Sequence, residues 1–338
     1  MKKQPLMQTE TRVARTYRGG KLLEEFLGKT NPKDSFYPED WISSFVEAKN
    51  KNGFPGEGIS NVLIHGVEKP ITDAVTKEDF GPGRTESGVL VKFLHAGERL
   101  GIQTHPTPDF SRKHFKSDYG KTECWHILKA APGAAVYIGF KEGITKEKWS
   151  KLFREQDIDG MLNSLHCFQV QEGDTILVRA GTPHAIGAGC FLLEIQEPTD
   201  YTMRVEKETL AGEHLTPMQI HYGVGEDALL ECFIYEGLSR KKAREKYFLP
   251  PRTERNIPHY TTLVTYDDTP CFALGILASG GSIQPDSFVS LVITKGEKLL
   301  IGDTSLKVRP GNKIFVPYGC GKITVDDGEI IVCHPPKI

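Results

Sequence analysis

The sequence lacks the features that mark several large classes of protein. No uninterrupted apolar run approaches the roughly 20 residues a membrane-spanning helix needs, so no bilayer span is expected. The opening stretch, "MKKQPLMQTETRVAR", has two lysines with no apolar segment behind them; it does not read as a secretory signal, and a cytoplasmic protein is expected. The seven cysteines (Cys124, Cys167, Cys190, Cys232, Cys271, Cys320 and Cys333) are odd in number, widely spaced and without a C-x-x-C pair. That argues against a disulfide framework or a thiolate zinc site. Charge of one sign is also missing. With a net charge of -2 and no basic block longer than "SRKKAREK", which reads as a solvated helix face, no nucleic-acid partner is expected. A small anionic substrate is still compatible, because a few aimed Lys or Arg side chains suffice to bind one.

What is present points to β structure. The 338 residues include 34 glycines and 21 prolines. Between them lie short, β-branched segments: "VLVKFLHAG", "GAAVYIGF", "TILVRAG", "FLLEIQEP", "VSLVITKG", "KIFVPYG" and "EIIVCHPP". Such spacing favours a sandwich or barrel of many short strands. Helical periodicity is confined mainly to 145–166, where Trp149, Leu152 and Phe153 share a face, and to 226–246. Shifted by 138 residues, Val170, Gly173, Ile176, Val178 and Gly181 fall on Val308, Gly311, Ile314, Val316 and Gly319. One strand-turn-strand unit used twice predicts two related β domains. The composition shift around "LPPRTERNIP" puts the boundary between Glu236 and Asn256, giving a first domain over 1–240 and a second over 241–338. In that register Lys322 replaces His184 and Val332 replaces Glu194, so the second copy has not kept the chemistry of the first.

The polar residues set into apolar strands are the candidates for chemistry. Alternate residues of a strand share a face, which pairs Gln103 with His105, groups Lys121, Glu123 and Trp125, and groups Leu192, Glu194 and Gln196. His184 follows a Gly-Thr-Pro turn. Two histidines, a carboxylate and an amide oxygen suit a mixed N/O metal site, for zinc or equally for Mn, Fe, Co or Ni. Taken singly each residue has a plainer reading: His65, His95, His105, His126 and His184 as hydrogen-bonded histidines, Glu123 as a partner of Lys121, and Arg204 in a surface ion pair.

The conjunction is more specific. Gln-x-His-Pro, Gly-Lys-Thr-Glu-Cys-Trp, Gly-Thr-Pro-His-Ala-Ile-Gly and then Glu followed by Asp-x-x-x-Arg resembles, in order and spacing, the type I phosphomannose isomerases of the cupin superfamily. "TYRGGKLLEEFLG", "EDWISS" and "LVKFLHAGERLGIQTHP" extend the resemblance over roughly residues 11–210. It implies a mainly β fold of two cupin-like jelly-roll domains in tandem, with a small helical addition around 145–166. It implies Gln103, His105, Glu123 and His184 as zinc ligands, with Arg204, Lys121 and Glu194 as active-site residues. The implied reaction interconverts mannose 6-phosphate and fructose 6-phosphate through a cis-enediolate, with a sugar phosphate as the small-molecule partner. The sequence departs from the family at Gly101, where a serine thought to help hold the phosphate is usual, at His95, where many members have Asp, and at Tyr17, where many have Trp. Lys207 is a loose counterpart of a family lysine. Rival readings are a relative acting on another sugar phosphate, a non-catalytic sugar-binding cupin and an Fe(II) oxygenase.

Overall fold

The β-branched segments bounded by glycine and proline all fold into antiparallel strands in the computed structural model, which describes residues 3–254 and 256–337. Seven strands make the first large sheet, in the order Arg12–Val13, Glu39–Ile42, Leu90–His95, Cys190–Gln196, Glu123–Ala130, Thr175–Val178 and Phe248–Leu249. A five-stranded sheet closes over it, in the order Leu165–Gln169, Ala135–Phe140, His184–Ile186, Gln103–Thr104 and Met203–Arg204. A nine-stranded sheet, dominated by the long strands Val289–Ile301 and Ile323–His334, forms the second barrel. The architecture is mainly β, with two cupin-like jelly rolls in tandem, as the sequence implied.

Every residue of Leu90–His95 and Cys190–Gln196 is buried because both faces of the first sheet are covered. Leu94, Leu192, Trp125, Ile127 and Ile176 point into the first barrel. Phe93, Leu193, Ile195, Cys124 and Leu177 point out and pack with Leu274, Val292, Phe315, Ile331 and Cys333 of the second barrel. The two large sheets therefore meet back to back. Each large apolar side chain buried in this seam is worth about 1.5–3 kcal/mol, so apolar burial dominates the junction. A buried ion pair crosses it: Lys313 Nζ lies 2.6 Å from Asp40 Oδ2, with side chains 3% and 0% exposed.

The chain also crosses the boundary expected at 240. Leu6–Met7 pairs with Phe315 and Ile314, and Phe248–Leu249 pairs with Ile176 and Thr175. The helical stretch over 145–166 forms two helices, Lys146–Glu155 and Ile158–Asn163. Gln156 takes a left-handed conformation between them, and the Asp157 side chain caps the second. Trp149 and Phe153 are fully buried, as their shared face requires. The second helical stretch is likewise divided, into Glu226–Glu231 and Arg240–Tyr247. Among the described residues, no helix is long and apolar enough to cross a membrane.

Candidate active site and metal centre

"VLVKFLHAGERLGIQTHP" does not run as one strand. Leu90–His95 lies in the seven-stranded sheet and Gln103–Thr104 in the five-stranded one, so the chain turns across the barrel mouth between Lys92 and Gln103. Gln103 pairs with His184 on one side and Arg204 on the other, while Glu123 and Glu194 come from adjacent strands of the facing sheet. His105 lies just past the end of its strand, and its ring centroid is 4.8 Å from that of His184.

His105, Glu123 and His184 form a group whose donor atoms all lie within 4.8 Å of one another. His105 Nε2 is 3.1 Å from Glu123 Oε2, and His184 Nε2 is 3.5 Å from Glu123 Oε1. The Gln103 amide nitrogen stands 3.3 Å from His184 Nε2, and rotating the amide by 180° would present its oxygen at the same place. Both imidazoles are oriented from behind by backbone carbonyls: Nδ1 of His105 lies 2.8 Å from Tyr201 O, and Nδ1 of His184 lies 2.9 Å from Thr182 O. A proton held on Nδ1 leaves Nε2 as a lone-pair donor facing the cavity.

The electrostatics match this arrangement. Burial, with help from Lys121, pushes His105 down to about 3, and burial also lowers His184, so both rings are neutral, as ligands must be. Burial alone would raise Glu123, but Lys121 and His105 outweigh it and hold the carboxyl well below its usual range. Trp125 Nε1 donates to Glu123 Oε1 at 3.0 Å and fixes its orientation. Lys121 Nζ lies 2.9 Å from His105 Nε2 and 2.5 Å from Glu123 Oε2, so the donors converge on a position that attracts positive charge. Two neutral imidazoles, one carboxylate and one amide fit a borderline divalent ion.

A ladder of buried charges extends from these donors. Glu194 Oε1 stands 3.5 Å from Lys121 Nζ and 3.3 Å from Lys92 Nζ but makes no hydrogen bond among the described residues. Burial and the charge of Glu123 push Glu194 up to about 8. Lys92 reaches on to Glu39 at 3.7 Å, and Glu39 binds Arg15 Nε at 2.9 Å, the Trp41 indole at 2.8 Å and the Tyr17 hydroxyl at 2.7 Å. Arg15 also grips Asp200 through both terminal nitrogens, at 3.0 and 3.2 Å. Burial would raise Glu39 too, but Arg15 and Lys92 hold it at about 2. Arg204 Nη1 donates to Gln219 O at 2.6 Å, leaving the rest of the guanidinium free to face the pocket. The free space between these side chains is narrow, about 40 Å³, and its lining is dominated by charged and polar groups.

All seven candidate residues come together here: Gln103, Lys121, Glu123, Glu194 and Arg204 line the mouth, and His105 and His184 stand against Glu123. The other histidines lie elsewhere: His95 accepts from Gly20 N, His126 contacts Thr175 Oγ1 on the opposite face of its strand, and His65 sits in an exposed turn. Lys207 pairs with Glu226 outside the pocket. Gly101 has room for a side chain, but its nearest neighbour would be the Glu206 carboxylate, 4.0 Å from an ideal Cβ. Sequence reasoning missed Arg15, Lys92 and Asp200 as pocket residues, and gave Glu39 no role in it. Lys92 did leave a signal, as a lone charge inside an apolar strand and directly paired with Glu194.

Comparison with known proteins agrees with the fold. No family model matches the chain. A mannose-6-phosphate isomerase of Bacillus subtilis is 26% identical over 256 residues, covering 73% of this chain and 74% of that protein. A mannose-6-phosphate isomerase of Streptococcus mutans is 34% identical over 148 residues, covering 44% and 45%. The crystal structure of the mannose 6-phosphate isomerase from Bacillus subtilis superposes with a TM-score of 0.74 at 19% identity, covering 98% of this chain and all of the other. A zinc-bound mannose 6-phosphate isomerase structure gives 0.74 at 17% identity, covering 99% and 100%. The chain is a homologue of proteins with this name and shares their fold along nearly its whole length.

Proposed function

We propose, from that kinship and the site it frames, that the chain is a Zn2+-dependent aldose-ketose isomerase interconverting mannose 6-phosphate and fructose 6-phosphate. The observation that carries this reading is the convergence of Gln103, His105, Glu123 and His184 beside the Lys121–Glu194 pair. Bound by those four residues, a divalent ion would supply Lewis acidity toward the carbonyl and hydroxyl oxygens of the open-chain sugar.

The chain's own residues do the rest. Isomerisation removes a proton from C2 and returns one to C1, while a hydroxyl proton passes between O1 and O2, so the site needs an acid-base group at both positions. Glu194 and Lys121 lie side by side, and Glu194, whose Oε1 has no hydrogen bond among the described residues, lines the pocket; proton transfer falls to this pair. Lys92 and Arg15, through Glu39, hold the ladder in place. Arg204, always cationic, offers a fork of donors to the developing oxyanion or to the phosphate. A cytoplasmic setting is part of the same reading, since a reducing compartment suits seven free thiols.

The test is metal analysis together with a coupled assay on both sugar phosphates. Activity lost to a chelator and restored by zinc is the expected result; a zinc-loaded protein that turns over neither sugar would overturn the reading.

A further inference from the structure

Arg204 lies at a divide between two clefts of opposite character. On the Gly101 side the lining carries Glu98, Glu206 and Glu208. Glu206 is committed to Arg99 at 2.5 Å and to Ile102 N at 2.6 Å, so apart from Arg204 at the divide this cleft offers an anion only carboxylates and a cation already paired. On the other side the cavity opens into a wider cleft lined by Arg15, Lys49, Lys51 and Arg204, with no Asp or Glu in its wall. Arg15 is spent on Glu39 and Asp200, but Lys49, Lys51 and Arg204 make no ion pair with any described carboxylate.

We propose that Lys49 and Lys51, together with Arg204, bind the substrate's phosphoryl group in this second cleft. The inference rests on the isomerase reading above and names the anion-binding half of the same site. Unpaired cations crowded around one concavity repel each other, and a dianion with several acceptor oxygens relieves that repulsion. The loop carrying them is anchored to the active site at its root. Lys49 N donates to Asp200 Oδ2 at 2.8 Å, Arg15 Nη1 donates to Asn50 Oδ1 at 3.3 Å, and Asn50 Nδ2 donates to Glu57 Oε1 at 2.8 Å. The Lys49 ammonium rests over the Tyr201 ring at 4.9 Å, and it is Tyr201 O that orients the His105 imidazole. Backbone and amide groups are thus fixed while both ammonium groups stay available. A phosphate held here has Arg204 between it and the metal donors, as a sugar reacting at one end and recognised at the other requires.

The experiment measures inorganic phosphate binding to the zinc-loaded full chain by calorimetry, and KM for mannose 6-phosphate, in wild type, in Lys49→Ala/Lys51→Ala, and in a charge-matched control on a distant helix, Lys241→Ala/Lys242→Ala. The cleft variant is expected to bind phosphate at least tenfold more weakly and to raise KM by a similar factor, with a smaller effect on kcat, while the control matches wild type. A folded cleft variant with wild-type phosphate affinity would overturn the proposal, as would an equal loss in the control. If wild type binds phosphate through these lysines but fails to isomerise mannose 6-phosphate, the isomerase reading falls and the anion site stands.

Discussion

The two barrels are the same device built with opposite interiors. Sheet order matches position by position, with Thr175–Val178 corresponding to Lys313–Val316 and Phe248–Leu249 to Leu6–Met7. Pairing registers carry the equivalence inward: Glu123 becomes Val289, Glu194 becomes Val332, and Lys92 becomes Gly275. In the first barrel those positions hold the charge ladder; in the second, Val289, Val332 and their neighbours form a continuous apolar core. Tyr260, which corresponds to Glu39, fills the space over Gly275 so closely that an ideal Cβ there would meet its hydroxyl at 2.2 Å. Backbone geometry therefore does not make a site. The first barrel sustains buried charge only because each charge has an opposite neighbour, whereas the second places apolar residues at the positions of Glu123 and Glu194 and so has no carboxylate to desolvate there.

The largest way to break the comparison is to neutralise the carboxylate among the donors. Glu123→Gln keeps the shape and removes the charge; kcat/KM should fall roughly ten-thousandfold, about 5–6 kcal/mol, with zinc content falling in parallel. Next, Glu194→Gln and Lys121→Met should keep their zinc while turnover drops about 10²- to 10⁴-fold. Wild-type turnover in both, with metal bound, would remove the pair from proton transfer. The reverse experiment puts the first barrel's residue into the second. Val289→Glu buries a carboxylate with no cation opposite it and should cost about 3–5 kcal/mol, read as a lower urea midpoint.

The smallest effect concerns pH. His334, which stands where the first barrel has Gln196, is pushed down to about 4 by burial, a charge on Asp286 opposing this only in part, and its Nε2 lies 3.0 Å from the Tyr260 hydroxyl. Its folded pKa lies below its unfolded value, so the unfolded chain takes up the proton first. The stability it supplies is complete above about pH 6.5 and is lost as the pH falls toward 4, by roughly 3 kcal/mol at most. His334→Gln should flatten the slope of stability against pH in that window, as followed by denaturant titration.

Much of this was legible in one dimension for identifiable reasons. The repeat showed because turn glycines recur where the backbone takes positive φ: Gly173 and Gly181 at 89° and 83°, Gly311 and Gly319 at 86° and 87°. The face assignments of "ECWHIL" and "FLLEIQ" held because alternation in a strand needs no knowledge of its neighbours. That Leu90–His95 and Gln103–Thr104 belong to different sheets was not legible, because the crossing between them is set by barrel closure.

Sequence alone indicated a mainly β fold and its internal repeat, because periodicity and turn chemistry are local properties, while the donor set of the candidate metal site came from the resemblance to phosphomannose isomerases. Which charges meet was settled in three dimensions. Arg15 finds Asp200 across 185 positions, Lys49 and Lys51 arrive beside Arg204 from a distant loop, and Gly101 faces a committed glutamate. Electrostatic energy depends on separation in space and on burial, and neither can be read from order along the chain.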